Sequence, residues 1–356
     1  MEWTVMQTYK YSSALQHIRW LCLGFAIIPD FLCLAQGNAA SVLENVIDRA
    51  RQTSLYTDQV NWDSLKWEVE RSAEHAENIE DLGPAFTALL NGLKDKHGRI
   101  LRAADYSTLA SFTDYEQLHH PDQRPRDPAI QQKVYDSSKG FEASMAGDDI
   151  GYIRIPGYPP DVDVNGEAIR IRDALLSLKN QGAKRWMVDL RNNGGGNMHP
   201  MVAGIGPLIG DGVVGYLMDL SGNTIFAWEI KGGNFIYGGY QALDLPNIFQ
   251  FQILPHVAVL TSRYTVSSGE VVATCFKGRP NTRFFGEMTG SLTTNTNWEV
   301  IDNEVIMNIS TGVFADRNKI SYAFNIPVDV DIPFSVSEDL KNDPCLQAAI
   351  EWLKSK

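Results

Sequence analysis

The stretch Val257-Ala-Val-Leu-Thr261, Ser262-Arg-Tyr-Thr-Val266, Ser267-Ser-Gly-Glu270 and Val271-Val-Ala-Thr-Cys-Phe276 decides how the chain is read. Its first five residues are strand formers, Ser267-Ser268-Gly269 is a small-residue turn, and Glu270 to Phe276 reads as a helix. A strand, a tight turn and a helix can lift a serine hydroxyl to the start of the helix. There the first backbone N–H groups have no partner within the helix, and the helix dipole favours developing negative charge. Two readings stand on these residues alone. Ser267 is a nucleophile, or it is an ordinary N-cap, a role in which serine is among the best residues.

Upstream, Trp186-Met-Val-Asp-Leu190 reads as a strand leading into Arg191-Asn-Asn-Gly-Gly-Gly196. Three consecutive glycines allow backbone with positive φ and close approach to a ligand, and their N–H groups can cradle an anion. The run lacks the lysine of a phosphate loop and the spacing of a dinucleotide loop, so an oxyanion hole is the sharper functional reading. A plain glycine-rich turn, with Asp189 and Arg191 as a structural ion pair, is the alternative.

Around these two stretches strands and helices alternate. Ile150 to Ile155 alternates like a strand, and Ala168 to Leu178 is an amphipathic helix. A helix runs through Val202 and Ile205. Hairpins join Val213–Met218 to Thr224–Ile230 and Trp298–Ile301 to Val305–Ile309, and Asp343-Pro344 starts a closing helix. This is an α/β core with a mixed sheet. Before it, Ser41 to about Tyr106 reads as helical, with a helix from Asp81 to the corner Lys94-Asp-Lys-His-Gly98, where Gly98 suits a C-terminal cap, and a short strand Arg99–Arg102. The expected organisation is a signal peptide over residues 1–40, a helical module over 41–118, a proline-rich linker over 119–147 and the core over 148–356.

The signal peptide is read from Lys10, His17 and Arg19 ahead of the short apolar run Trp20 to Pro29, with small residues around Ala35 and Ala40. The apolar run is about half of what a spanning helix needs, so the expectation is an exported protein, periplasmic or secreted, with no membrane span after signal removal; an uncleaved anchor, or a start at Met6, is the alternative. Neither Cys22 nor Cys33 sits in a lipoprotein acceptor context. Cys275 and Cys345 would remain, either paired or as buried thiols. A formal net charge of -12 argues against nucleic acid and anionic membrane as partners.

A serine nucleophile needs a base, and histidine titrates in the useful range. His97, at the helix-to-strand corner, is the first candidate, and His199, just past the glycines, is its rival. His119 and His120 lack the accompanying ligands of a metal site, and no metal or cofactor is expected.

Taken in order, Asp189-Leu-Arg-Asn-Asn-Gly-Gly-Gly196, Leu260 to Glu270 and Phe285-Gly-Glu-Met-Thr-Gly290 resemble the tail-specific, or C-terminal-processing, serine peptidases, a family that includes the tricorn core protease and the interphotoreceptor retinoid-binding proteins. Ile150-Gly-Tyr-Ile-Arg-Ile-Pro156 and Asp343 to Leu353 also match. The resemblance implies a mixed-sheet, ClpP/crotonase-like core and a peptide or unfolded protein as substrate. It makes Ser267 the nucleophile, gives oxyanion N–H groups to Ser268 and Gly195 with Gly196 as neighbour, and makes His97 the base.

The chain departs from the family pattern in three places. Gly286 to Thr294 holds no lysine for a Ser/Lys dyad. Ile320 to Asn325 holds no glutamate, which leaves Glu270, Asp95 and Asp316 as possible orienting carboxylates. The stretch between helical module and core is too short for a PDZ domain. The same resemblance allows a non-catalytic protein that binds an apolar ligand or peptide, and an esterase using the same serine is a third possibility.

Overall fold

The computed structural model describes residues 39–114, 120–136, 140–241, 243, 245–246, 249–334 and 342–356. Residues 1–38 of the expected signal peptide and His119 lie outside the described residues, and Ala39 and Ala40 open the first helix. The helical spacing of the N-terminal part forms α1 (Ala39–Thr53), α2 (Trp62–Ser72) and α3 (Gly83–Leu93). Strands β1 (Arg99–Arg102) and β2 (Thr108–Ser111) follow. The stretch expected as a linker carries α4 (Pro128–Asp136) and β3 (Glu142–Met145). Next come β4 (Ile150–Arg154), α5 (Val164–Asn180), β5 (Arg185–Asp189) and α6 (Met198–Ile209). A meander of β6 (Gly212–Met218), β7 (Thr224–Lys231), β8 (Asn234–Tyr237) and β9 (Tyr240–Gln241) leads to β10 (Val257–Thr261) and α7 (Ser268–Phe276). The chain closes with β11 (Thr282–Gly286), β12 (Thr294–Ile301), β13 (Val305–Asp316), β14 (Val330–Asp331) and α8 (Pro344–Lys354).

Two sheets organise these elements. One has the order β14-β11-β10-β5-β4-β3, parallel throughout except for the antiparallel edge strand β3. The other is antiparallel, with the order β2-β1-β13-β6-β7-β8-β9 and β12 paired to β13. The central parallel strands are apolar on both faces, as a sheet covered on both sides requires. Val257 and Val259 point into a core shared with Leu175, Met201, Val272 and Trp228, so α5, α6 and α7 lie between the two sheets. Ala258 and Leu260 point the other way, onto Leu346, Ala349 and Leu353 of α8. The N-terminal helices pack their apolar faces on Ile100, Val305, Met307 and Ile309, and residues 39–356 form one compact unit. Cys275 belongs to the first core and Cys345 to the second; both are free and buried, on opposite faces of the sheet.

The parallel register positions the site. Leu260 pairs with Asp189 and Phe285 with Leu260, so the segments after β5, β10 and β11 leave adjacent strands at one edge. That carboxyl edge is where open α/β sheets bind ligands. The glycine run, the serine turn and the Gly286–Leu292 loop are therefore neighbours because of strand order alone.

Candidate active site

From Val257 to Phe276 every residue is buried except Ser267, which is partly exposed at the mouth of the turn. Its backbone is held at φ 54 and ψ -117, a left-handed conformation that a non-glycine residue adopts only under constraint. The constraint is visible. The Ser267 N–H donates to the Glu270 Oε2 at 2.9 Å, and the Ser267 carbonyl accepts from the N–H groups of Glu270 and Val271. The Gly269 N–H bonds the Val266 carbonyl, and the Val266 N–H bonds the Asn193 carbonyl, which ties the turn to the glycine loop. The Ser268 hydroxyl donates to the Gly196 carbonyl, so the second serine serves as a tether. Among the described residues the Ser268 N–H has no acceptor.

The glycine loop must be glycine where it meets Ser267. A Cβ on Gly195, whose φ is +91, would stand 2.8 Å from the Ser267 Cβ, and one on Gly196 would stand 1.7 Å from the Tyr158 carbonyl oxygen. Asn193 braces the loop by donating to the carbonyls of Ile155 and Pro156. Its Oδ1 accepts the Gly195 N–H at 2.9 Å, so the donor expected to face an oxyanion is engaged in this state, whereas the Gly196 N–H has no acceptor among the described residues. Beneath the loop Asp189 and Arg191 form an ion pair at 2.7 Å, as in the alternative reading of this run, and Arg191 also bonds Asp343, the N-cap of α8. Burial alone would raise the Asp189 carboxyl, but the charge and hydrogen bonds of Arg191 hold it below its usual range.

His97 sits on the corner after α3. The left-handed cap there is Lys94, at φ 57, and not Gly98: the chain turns as soon as the apolar face ends at Leu93. The His97 Nδ1 lies 3.1 Å from both the carbonyl and the Oγ1 of Thr294. Its Nε2 has no partner among the described residues. Burial, with the nearby Arg99 charge, pushes the imidazole down to about 4, so the ring is neutral at pH 7. His97 and Ser267 are fixed to one frame. Glu270 accepts from both Ser267 N–H and Leu292 N–H at 2.9 Å, and Thr294, two residues beyond Leu292, holds the histidine.

The three carboxylates occupy different places. Glu270, fully buried, takes four donors: Ser267 N–H, Leu292 N–H, Ser291 N–H and the Thr289 hydroxyl. Burial outweighs them and raises its carboxyl to about 7. Asp95 bonds the backbone N–H of His97 and both the N–H and hydroxyl of Ser310. Asp316 caps its own turn, accepting from Asn318 N–H, Ile320 N–H and the Tyr322 hydroxyl.

The rival His199 is half-buried against Phe235 and Tyr237, and its buried Nδ1 is without a partner among the described residues. No group of His, Cys, Asp or Glu able to hold a metal ion occurs among the described residues. Thr294 and Ser310 lie just outside the strands read from the sequence, Trp298–Ile301 and Val305–Ile309, and no motif marks them.

With this geometry in place, the comparisons with known proteins are specific. The model of peptidase family S41 matches residues 149–334, just over half of the chain. The chain belongs to peptidase family S41. It is 25% identical over 305 residues to a nisin-resistance protein from Lactococcus lactis subsp. lactis, covering 86% of this chain and 84% of that protein. It is similar to the solved structure of a lipoprotein from Streptococcus agalactiae, with a TM-score of 0.66 and 20% identity over 94% of this chain and 99% of that one. It is also similar to a photosystem II D1 C-terminal processing protease, with a TM-score of 0.55 and 13% identity over 85% of this chain and 95% of that one.

Proposed function

We propose that this S41 peptidase hydrolyses peptide bonds through an acyl-enzyme on Ser267, with His97 as general base. The observation that carries the reading is Ser267 itself: it alone is accessible within an otherwise buried strand–turn–helix, on strained backbone, beside a loop that only glycine can form. Ser267 Oγ attacks the substrate carbonyl as its proton passes to His97 Nε2. The carbonyl electron pair moves to oxygen, where the Ser268 N–H meets it, joined by Gly196 N–H or by Gly195 N–H once it releases Asn193. Collapse breaks the C–N bond, and His97 returns the proton to the leaving amine. Water, deprotonated by His97, then cleaves the ester and restores the serine. A histidine whose basicity is lowered by burial is neutral at pH 7 and available as a base.

Turnover of an unstructured peptide by the wild type and by Ser267→Ala tests this reading. Activity should fall to background in the variant, and turnover that survives the change would refute it.

A second reading is favoured by one observation, the engagement of the Gly195 N–H by Asn193. It makes the fold a binding protein for an apolar ligand or peptide, with the serine idle. Wild-type protein that binds a peptide, does not cleave it and does not react with a fluorophosphonate would support that role. An esterase using Ser267 would turn over esters but not amides.

Export is proposed on two grounds. The N-terminal sequence has the order of a signal peptide, and similar proteins include a lipoprotein and a nisin-resistance protein. No helix among the described residues is long and apolar enough to cross a membrane.

A further inference from the structure

Among the described residues no carboxylate meets the His97 ring, yet a buried carboxylate stands at the end of a chain of hydroxyls that begins there. His97 Nδ1 lies 3.1 Å from Thr294 Oγ1, Thr294 Oγ1 lies 2.9 Å from Ser310 Oγ, and Ser310 Oγ lies 2.6 Å from Asp95 Oδ1. We propose that Asp95 is the orienting carboxylate of His97, acting at two removes through the hydroxyls of Ser310 and Thr294. The inference rests on the reading of Ser267 and His97 as nucleophile and base.

The direction of the chain follows from donor and acceptor rules. An ionised Asp95 only accepts, and it already accepts the N–H of Ser310 at 2.7 Å and that of His97 at 3.1 Å. The Ser310 hydroxyl must therefore donate to Asp95. Its oxygen is left to accept from the Thr294 hydroxyl, and the Thr294 oxygen is left to accept from His97 Nδ1–H. The Thr294 carbonyl, also 3.1 Å from Nδ1, can only accept as well. Both partners place the ring proton on Nδ1 and leave the Nε2 lone pair for the Ser267 proton. When Nε2 takes that proton, the positive imidazolium strengthens its bond to Thr294. Each hydroxyl in turn is polarised toward Asp95, because hydrogen bonds in series reinforce one another in a low-dielectric interior. No proton need move along the chain. Burial pushes the Asp95 carboxyl up, while donors from Ser310, His97 and Gly98 oppose that shift.

Asp95 also holds the backbone of the corner that carries the histidine. One carboxylate thus sets both where the ring stands and which nitrogen is free. Thr294, Ser310 and Asp95 are positioning residues, since none of them faces the scissile bond in this scheme. Their supports are rigid: Ser310 is fully buried on β13, and Thr294 opens β12 beside it.

Steady-state peptide turnover by the full chain tests the relay. Thr294→Val removes the hydroxyl and keeps the carbonyl, Ser310→Ala breaks the second link, and Thr294→Ser restores the first. The expected result is a fall in kcat of about tenfold or more for Thr294→Val and for Ser310→Ala, within the range a general base contributes. KM should change little, and Thr294→Ser should be close to wild type. Because the links are in series, the double variant should be no worse than the poorer single one. Wild-type kcat in Thr294→Val or Ser310→Ala, or losses that multiply, would overturn the relay. Inactivity of Ser267→Ala and His97→Ala alongside unchanged relay variants would fault the relay alone, whereas activity in Ser267→Ala would fault the underlying reading. Should the valine and alanine variants fail to fold, NMR of the wild type decides. The relay requires a ring protonated at Nδ1 with slowly exchanging Thr294 and Ser310 hydroxyl protons, and freely exchanging hydroxyls would contradict it.

Discussion

The Glu270 carboxylate accepts the backbone N–H of Ser267 at 2.9 Å and, through the same oxygen, the N–H of Leu292 at 2.9 Å. Its other oxygen takes the N–H of Ser291 and the Thr289 hydroxyl. An acid three residues beyond the proposed nucleophile therefore pins the strained serine to the loop that leads to the histidine's anchor. In Glu270→Gln the side chain keeps its size, but one of its ends becomes an amide NH2 facing donors. We expect a loss on the order of 3 kcal/mol in unfolding free energy, as for buried donors left without acceptors. Fluorophosphonate labelling should slow in the same variant. Denaturant unfolding and labelling rates check both, and a variant as stable and reactive as wild type would show that the pin is dispensable.

The glycine loop yields a contrast between neighbours. Gly195→Ala puts a methyl against the Ser267 Cβ, so peptide turnover should be lost while the fold survives with a cost of about 1–3 kcal/mol for the left-handed backbone. Gly196→Ala drives its methyl into the Tyr158 carbonyl and should lower the melting temperature further than Gly195→Ala does. An equal effect of the two on stability would argue against this packing.

Arg191 is the cation between two buried carboxylates, Asp189 and Asp343. Replacing it by methionine leaves both without a charge partner, and breaking a buried pair in this way costs about 3–5 kcal/mol. Arg191→Lys should recover little, because the guanidinium forks onto Asp189 while reaching Asp343, and an ammonium cannot reproduce that shape. Urea unfolding of the two variants is the measurement.

Acid should act on this fold through its histidines. His97 and His199 are each pushed down to about 4 by burial, against 6.5 for the free side chain. Below 6.5 the unfolded chain takes up protons that the folded chain refuses until about 4, so each histidine removes stability as pH falls through that window. Glu270, raised to about 7 from 4.5, acts with opposite sign and adds stability as pH falls from 7. Replacing His199 by phenylalanine among its aromatic neighbours removes one acid-sensitive group. The variant should lose roughly 2–3 kcal/mol less than wild type between pH 7.5 and 4.5. Identical pH slopes in urea titrations would mean that His199 is protonated in the folded state.

Much of this arrangement is written locally. The β-forming runs at Trp186 and Val257, the glycines after the first and the small residues after the second identify two strand-to-loop units. Parallel pairing then brings the loops together. The resemblance also assigns different roles to Ser267 and Ser268; in the structure Ser267 is partly exposed and the Ser268 hydroxyl is spent on Gly196. Features that depend on contacts distant in sequence were not legible. Strand β12 begins at Thr294 and not at Trp298, because β13 offers it a full-length partner with a bulge between Asn295 and Thr296. That extension is what carries Thr294 to His97. Asp95 and Ser310 lie far apart in the chain and carry no shared motif. Residues 119–147 read as a proline-rich linker, yet Gln123 and Arg126 bond the carbonyls of Thr289, Arg263 and Gly290.

The most direct test of the central claim is the mass and position of the adduct left by a fluorophosphonate on the full chain. The account predicts one adduct per chain, on the peptide that contains Ser267. It should be absent in Ser267→Ala and form far more slowly in His97→Ala. An adduct on another residue, or no adduct on a protein that still cleaves peptides, would contradict it.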